Sequence, residues 1–440
     1  MSTRADYEVA VAELRAQLAA LPADAPVRLG KRTSNLFRQR SAVDHRLDVS
    51  AFSGVIEVGD GYAEVLGMTT YEDLVAATLP TGQMPLVVPQ LKTITLGGAV
   101  TGLGIESSSF RNGTPHESVI EMDVLTGDGR VVTCSRAEAS DLFYGFPNSY
   151  GTLGYALRLR IELERTHPYV HLRHVRCSSA ADAVEVMRGH DADFVDGTWF
   201  SPREVYVTLG TWADSAPLVS DYTGQEIYYR SIQRRSEDWL TVHDYVWRWD
   251  TDWFWCSRAF GVQNPRVRRL VPRRYLRSDS YWKLVALEQK HRWKARWDRS
   301  RGRPDQEAVI QDVEVPIDRL VEFMDVFARE VPIEPVWFCP LQQRSADDVW
   351  ELYRLDPDTL YVNVGFWSAV PVKEDPAHHN KLVEDLVDEL GGRKSLYSTA
   401  FYDRDRFWQL YNGPAYDVLK KTYDPDARLL DLYDKAVLSR

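Results

Sequence analysis

The chain has 440 residues, of which 44% are hydrophobic and 27% charged. That length exceeds one ordinary core and implies two domains, and the balance excludes a disordered chain. A net charge of -11 disfavours a general nucleic-acid role, because an acidic surface repels phosphate.

The N-terminal stretch MSTRADYEVAVAELRAQLAALP places Tyr7, Val11, Leu14 and Leu18 at helical spacing, which predicts an amphipathic helix. It lacks a basic region followed by a continuous apolar core, so it does not read as a signal peptide. No run of 18 apolar residues occurs, so no membrane-spanning helix is expected. The expected location is cytoplasmic, with at most peripheral contact at the inner face of a membrane. Cys134, Cys177, Cys256 and Cys339 are far apart and form no CxxC pair, which reads as reduced thiols. Arg outnumbers Lys 42 to 11, a skew with no folding cause that we read as the trace of a GC-rich genome.

Between residues 25 and 165, short β runs alternate with helical runs. PVRLG, HRLDVSAFSGVIEV, YAEVLG and PLVVP read as strands, and residues 70–79 as a helix. SVIEMDVLTGDGRVVTC reads as a hairpin turning at Gly127–Gly129, and LGYALRLRIELE as an alternating strand. HLRHVRC, EVYVTLGTW, VIQDVEVPI, PVWFCPL and DTLYVNVGFW predict strands of a second sheet, with PIDRLVEFMDVFARE as a helix. The fold class is α+β.

Residues 91–113 read LKTITLGGAVTGLGIESSSFRNG. Gly97, Gly98, Gly102, Gly104 and Gly113 let backbone approach a phosphate or a flat ring with no Cβ in the way. Close packing explains such a run equally well. A dinucleotide fingerprint needs GxGxxG between a strand and a helix, and a P-loop needs GK[ST]; neither is present.

LGGAVTGLGIESSSFRNG, VLTGDGRVV and EASDLFYGFPNSYGTLGYALRLRIEL together resemble the FAD-binding domain of vanillyl-alcohol-oxidase-type (PCMH-type) flavoproteins. Within that superfamily the chain is most similar to the Δ24-sterol reductases and their bacterial methylene-fatty-acyl reductase relatives. HDYVWRWDTDWFW, FGVQNP, VIQDVEVP, PVWFCP, SLYSTAFYDRDRFW and KTYDP extend the match over about residues 45–430. The resemblance implies an FAD domain of two α+β halves over residues 1–166, a cap domain with an antiparallel sheet over 167–390, and a segment 391–440 returning to the flavin. It implies pyrophosphate contacts at Lys31, Arg32, Thr33, Ser34, Asn35 and Leu36. Flavin contacts follow at Thr95, Gly97, Gly98, Thr101, Gly102, Gly104, Ile105, Glu106, Ser107 and Ser108. Gly151, Thr152 and Gly154 are placed near adenine or pyrophosphate, and Gln311 and Asp312 at the isoalloxazine. Phe110 stands where a tethering histidine would, so non-covalent FAD is expected.

The resemblance further implies reduction of a lipid C=C, with electrons from NADPH passing through FAD. An isolated alkene needs protonation before or with hydride arrival, hence an acid in a dry pocket. Glu106, Tyr397, His243 and Asp244 are the candidates, with Asp252 a further carboxylate beside them. Trp247, Trp249, Trp253, Phe254 and Trp255 could line a cavity tolerant of positive charge, or simply form core on one face of a strand. His167, His171, His174 and Cys177 are not a metal site, because alternation sends 171 and 174 to opposite faces.

Residues 258–303 hold fifteen Arg and Lys against three acidic residues, interleaved with Trp. Such a segment suits an anionic bilayer, at about 1 kcal/mol per basic residue near the surface, or is a solvated face. The leading expectation is reduction of a methylene-branched fatty acyl chain (10-methylene to 10-methyl) in a bacterial phospholipid, with a methyltransferase as partner. A sterol side-chain reductase, an alcohol or sugar oxidase on the same fold, and a non-catalytic lipid-binding protein remain alternatives.

Overall fold

A computed structural model describes residues 3–23, 25–31, 37, 44–291 and 301–438. Helix α1 (Arg4–Ala19) starts with a capping box in which Thr3 and Asp6 bond reciprocally, and buries Tyr7, Ala10, Leu14 and Leu18. A short parallel pair, β1 (Val27–Leu29) and β2 (His45–Leu47), lies beside it.

The first large sheet joins β3 (Val55–Val58), β4 (Tyr62–Leu66), β6 (Val119–Leu125), β7 (Val131–Ser135) and β8 (Tyr155–Arg165) in the order β3-β4-β8-β6-β7, all antiparallel. Short β5 (Gln83–Pro85) also pairs with β8. Helix α2 (Tyr71–Thr78) packs on it, with Leu74 and Val75 in the core.

The second sheet holds β9 (Tyr169–Cys177), β10 (Phe194–Ser201), β11 (Glu204–Ala213), β12 (Glu237–Thr241), β13 (Gln306–Pro316), β14 (Val336–Leu341), β15 (Tyr361–Pro371) and β16 (Arg393–Lys394). Their order is β12-β9-β11-β10-β14-β15-β13-β16, again antiparallel. One face is apolar: Val309, Val313, Val336, Phe338, Val364 and Phe366 pack against the helices Leu320–Glu330 and His378–Glu389. Because side chains alternate, the other face carries Asp312, Trp337, Asn363 and Trp367 toward the first domain. The fold is α+β.

Several sequence expectations change. HRLDVSAFSGVIEV is two strands, because Asp48 Oδ1 accepts from Ser50 N at 2.9 Å and turns the chain between them. PLVVP is irregular beyond Pro85. The glycine run is helical over Leu96–Gly102 (α3), with Thr95 Oγ1 capping Gly98 N at 3.2 Å. A Cβ at Gly97 would lie 2.7 Å from the Gly67 carbonyl oxygen, so glycine there lets the helix dock on the sheet. HDYVWRWDTDWFW is no strand but a short helix, Val242–Val246, followed by turns. β10 is a strand that no sequence pattern marks.

Candidate active site

A cavity of about 380 Å³ opens between the two sheets. The first domain contributes Thr95, Gly97, Gly98, Thr101, Gly102, Gly104 and Ile105 from α3 and the segment after it, with Gly151 and Gly154 from the turn before β8. The cap contributes Trp253, Phe254, Asp312, Trp337, Asn363 and Trp367; the C-terminal segment adds Ser395, Tyr397 and Lys435. Lys31 reaches the rim, with Nζ 4.0 Å from where a Gly98 Cβ would stand. Arg32, Thr33, Ser34, Asn35 and Leu36 lie outside the described residues.

The glycines keep this wall bare. A Cβ at Gly102 would come 3.2 Å from the Tyr150 ring, whose hydroxyl donates to Gly102 O at 2.6 Å. Gly154 has φ +153° and no room for a Cβ, which would meet Leu125 O at 2.7 Å. Gln90 Nε2, Thr93 Oγ1 and Asn363 Oδ1 are buried, have no protein partner and belong to residues lining this cavity. Buried polar atoms normally pair, so these await groups from a bound molecule. A bare backbone wall, a flanking lysine and unpaired donors and acceptors fit a large, flat, phosphate-bearing cofactor. Nothing in the sequence singled out Gln90, Thr93 or Asn363.

The opposite wall is aromatic. Phe254 lies 4.5 Å from Trp367, 4.8 Å from Trp249 and 5.4 Å from Trp337 between ring centroids. Trp253 stacks on Phe37 at 5.9 Å. Trp253 and Phe254 hold φ of +46° and +56°, a left-handed conformation costly for bulky residues. Buried carboxylates fix the turn: Asp252 forms a two-pronged pair with Arg268 at 2.7 and 3.0 Å, and Asp250 accepts from Lys92 N at 3.0 Å. Trp247, Trp249 and Trp255 are core.

Tyr397 faces this wall. Its hydroxyl accepts from Trp367 Nε1 at 2.9 Å, and it stands close enough to Asp312 for each group to shift the other's pKa. Burial pushes Asp312 up to about 6, against the pull of Asn363, which donates to its Oδ1 at 3.1 Å. Burial likewise drives the Tyr397 hydroxyl well above its usual range.

Other candidates lie elsewhere. Glu106 is buried one residue beyond the lining. Its Oε1 accepts from Arg248 Nη2 and Ser107 N at 2.9 and 2.7 Å, and burial raises its pKa. Ser107 Oγ bonds the Tyr245 hydroxyl at 2.7 Å, and Ser108 Oγ donates to Leu86 O at 2.7 Å. Thr152 Oγ1 donates to Ser149 O at 2.7 Å, away from the cavity. Gln311 is corrected to the opposite face of β13, where it donates to Asn380 Oδ1 at 2.9 Å; alternation sends only Asp312 inward. His243 and Asp244 pair with each other at 3.2 Å in a helical turn that Thr241 caps, and neither lines the cavity. Phe110 packs edge-on to His190 at 4.9 Å. Among the described residues no His or Cys lines the cavity, and no His/Cys/Asp/Glu cluster could hold a metal.

A family model for an FAD binding domain matches residues 11–135. The chain carries an FAD-binding domain of the PCMH type. Its similarity continues beyond that domain. The Δ24-sterol reductase of Rattus norvegicus is 27% identical over 370 residues, covering 79% of this chain and 69% of that protein. The Δ24-sterol reductase of Arabidopsis thaliana is 23% identical over 448 residues, covering 90% and 77%. Cytokinin dehydrogenase 2 of Arabidopsis thaliana is 36% identical over 110 residues, 25% of this chain and 22% of that protein. The chain is accordingly an FAD-dependent oxidoreductase. In the FAD-binding protein the bare wall of Gly97–Ile105 and the Gly151–Gly154 turn are the surfaces that would hold the cofactor. No helix among the described residues is long and apolar enough to cross a membrane.

Proposed function

We propose that this flavoprotein reduces an isolated C=C in a lipid, using NADPH, and that its substrate is a methylene-branched fatty acyl chain of a bacterial phospholipid, reduced to the methyl-branched chain. The observation that carries the reading is the pairing, across one cavity, of a four-ring aromatic wall with the neighbouring acids Asp312 and Tyr397. FAD, when bound, supplies the hydride. The chain must supply the proton and a surface that tolerates positive charge at the carbon left behind.

The aromatic faces of Trp253, Phe254, Trp337 and Trp367 meet the second need, each attracting a cation by about 0.5–2 kcal/mol when dry. They offer no nucleophile to trap it. Tyr397 meets the first. Trp367 N–H already occupies one lone pair of its oxygen. When Asp312 is ionised, the tyrosine O–H points at the carboxylate. When Asp312 is protonated, it donates to Tyr397, and the tyrosine O–H turns to the cavity. Asp312 thereby sets whether Tyr397 is armed.

The names of the relatives favour a second reading, a sterol side-chain alkene, on the same residues. Anaerobic reduction of the bound flavin by NADPH, followed by mixing with methylene-branched phospholipid or with a Δ24-sterol, separates the two. Reoxidation by the phospholipid is expected; reoxidation by oxygen alone overturns both, and points to the oxidase. A methylene branch must be installed by a C1-transferring enzyme, so a methyltransferase is the partner we propose. Peripheral docking on an anionic bilayer is supported by Leu270, 84% exposed, and Tyr275, 50% exposed, among Arg266, Arg269 and Arg274. Arg268 and Arg277 of the same run are spent internally, on Asp252 and Glu72.

A further inference from the structure

A second cleft, of about 490 Å³, opens on the cap and is lined by Phe200, Tyr229, Arg230, Arg234, Arg258 and Glu334 among others. It is adjacent to the flavin cavity. Pro335 of the segment entering β14 borders the cleft, and Trp337, two residues on, borders the cavity. Two residues of strand span only about 7 Å. Trp255 lies between, 6.2 Å from Tyr229 and 5.4 Å from Trp367.

Three guanidinium groups converge here. Among the described residues none of the three has a carboxylate within ion-pair distance, in contrast to Arg235, Arg248, Arg268 and Arg277. Each keeps N–H groups that no protein acceptor takes. Arg230 Nε donates to the Tyr229 hydroxyl at 3.3 Å and its Nη1 to Gln263 O at 3.5 Å, Arg234 Nε to Arg230 O at 3.2 Å, and Arg258 Nη2 to Glu334 O at 3.3 Å. Tyr229 is in turn anchored by donating to Gln263 Oε1 at 2.7 Å. The remaining N–H groups are left for a ligand. Three cations outnumber Glu334, the one carboxylate among the lining residues, so an anion joining them is favourable, and forked guanidinium donors match phosphate oxygens. Phe200 and Tyr229, stacked at 6.4 Å, add an apolar floor.

We propose that Arg230, Arg234 and Arg258 form a phosphate-binding subsite that seats a phosphate monoester or diester of a reactant whose other end enters the flavin cavity. The phosphate could belong to the dinucleotide donor or to the headgroup of a phospholipid. The subsite itself does not depend on the reduction proposed above; only its kinetic assignment rests on that reading.

The FAD-loaded protein and its Arg230→Gln/Arg234→Gln/Arg258→Gln variant are titrated calorimetrically with adenosine 2′-phosphate and with glycerol 1-phosphate, and KM is measured for NADPH and for phospholipid vesicles. The variant is expected to bind its preferred probe at least about tenfold more weakly, the loss expected for removed charge-assisted contacts. Loss of adenosine 2′-phosphate with a raised KM for NADPH assigns the dinucleotide; loss of glycerol 1-phosphate with a raised KM for vesicles assigns the lipid. Should the triple variant misfold, the single variants Arg234→Gln and Arg258→Gln, both at exposed positions, give the same readout. Equal probe affinities and equal KM values in wild type and variants overturn the proposal. If the probes bind as expected and no lipid is reduced, the subsite stands and the proposed reaction fails.

Discussion

Arg248 of the cap reaches Glu106 of the FAD-binding domain, its Nη2 standing 2.9 Å from Glu106 Oε1 and also 2.9 Å from Asp196 Oδ2. Trp249 Nε1 donates to the same Asp196 oxygen at 3.1 Å. All three charged groups are buried, so the cluster pins the two domains together behind the cavity rather than inside it. Removing one partner of such a cluster leaves an uncompensated charge and costs about 3–5 kcal/mol. Arg248→Met is therefore expected to lower the urea midpoint steeply and to loosen FAD. Glu106→Gln, which keeps an acceptor for Arg248, is expected to leave turnover within about tenfold of wild type. Flavin-loaded Glu106→Gln with no turnover would restore Glu106 as the proton donor.

Tyr397→Phe removes the hydroxyl that faces the aromatic wall. Loss of a general acid slows the chemical step by about 10²–10⁴-fold. The flavin spectrum and its reduction by NADPH are expected to remain, so stopped-flow separates the lost half-reaction from the retained one. A tyrosine that only packs would slow both halves or neither.

Asp312 predicts the pH profile. Its folded pKa is raised, to about 6, so its protonated form persists below that value and is lost as pH rises through it. If protonated Asp312 frees the Tyr397 hydroxyl, kcat for lipid reduction declines above about pH 6. Asp312→Asn fixes a neutral partner and is expected to flatten that limb. An unchanged limb in the variant would falsify the relay.

Gly98 borders the cavity, and a Cβ there would stand 2.8 Å from the Thr95 hydroxyl that caps α3. Gly98→Val is expected to purify folded but depleted of flavin, read as visible absorbance per mole of protein. Full flavin content in that variant would show that the cofactor does not approach this wall.

The periodicity of the sequence carried most of the second sheet, because its strands are long and bury Val, Ile and Phe on one face. The turn that carries Trp253 and Phe254 was not legible: alternating aromatics look like a strand until buried Asp252 and Arg268 meet across sixteen residues. Motif resemblance placed the glycines and Asp312 on the chain, yet it could not tell which of two adjacent residues faces inward. Gln311 and Glu106 show this. Each is next to a lining residue, and strand alternation or a turn sends it into the protein instead. The unpaired atoms Gln90 Nε2, Thr93 Oγ1 and Asn363 Oδ1 answer to no sequence pattern at all, since their significance lies in partners they lack.

Glu314 lies two residues beyond Asp312 on the same face of β13 and accepts a hydrogen bond from the Tyr353 hydroxyl. Burial, reinforced by the neighbouring Asp312, raises it to about 8. Below the ordinary carboxylate range, folded and unfolded chains are both protonated there, and the group has no effect on stability. Between that range and about pH 8 the folded chain holds the proton more tightly, so stability falls as pH rises. Above it the folded chain carries a buried charge and the full penalty. Glu314→Gln keeps an acceptor for Tyr353 without that charge. Its advantage over wild type in urea is expected to be near zero at about pH 4 and to grow steadily up to about pH 9. An advantage that does not change with pH would mean that Glu314 titrates alike in the folded and unfolded chains.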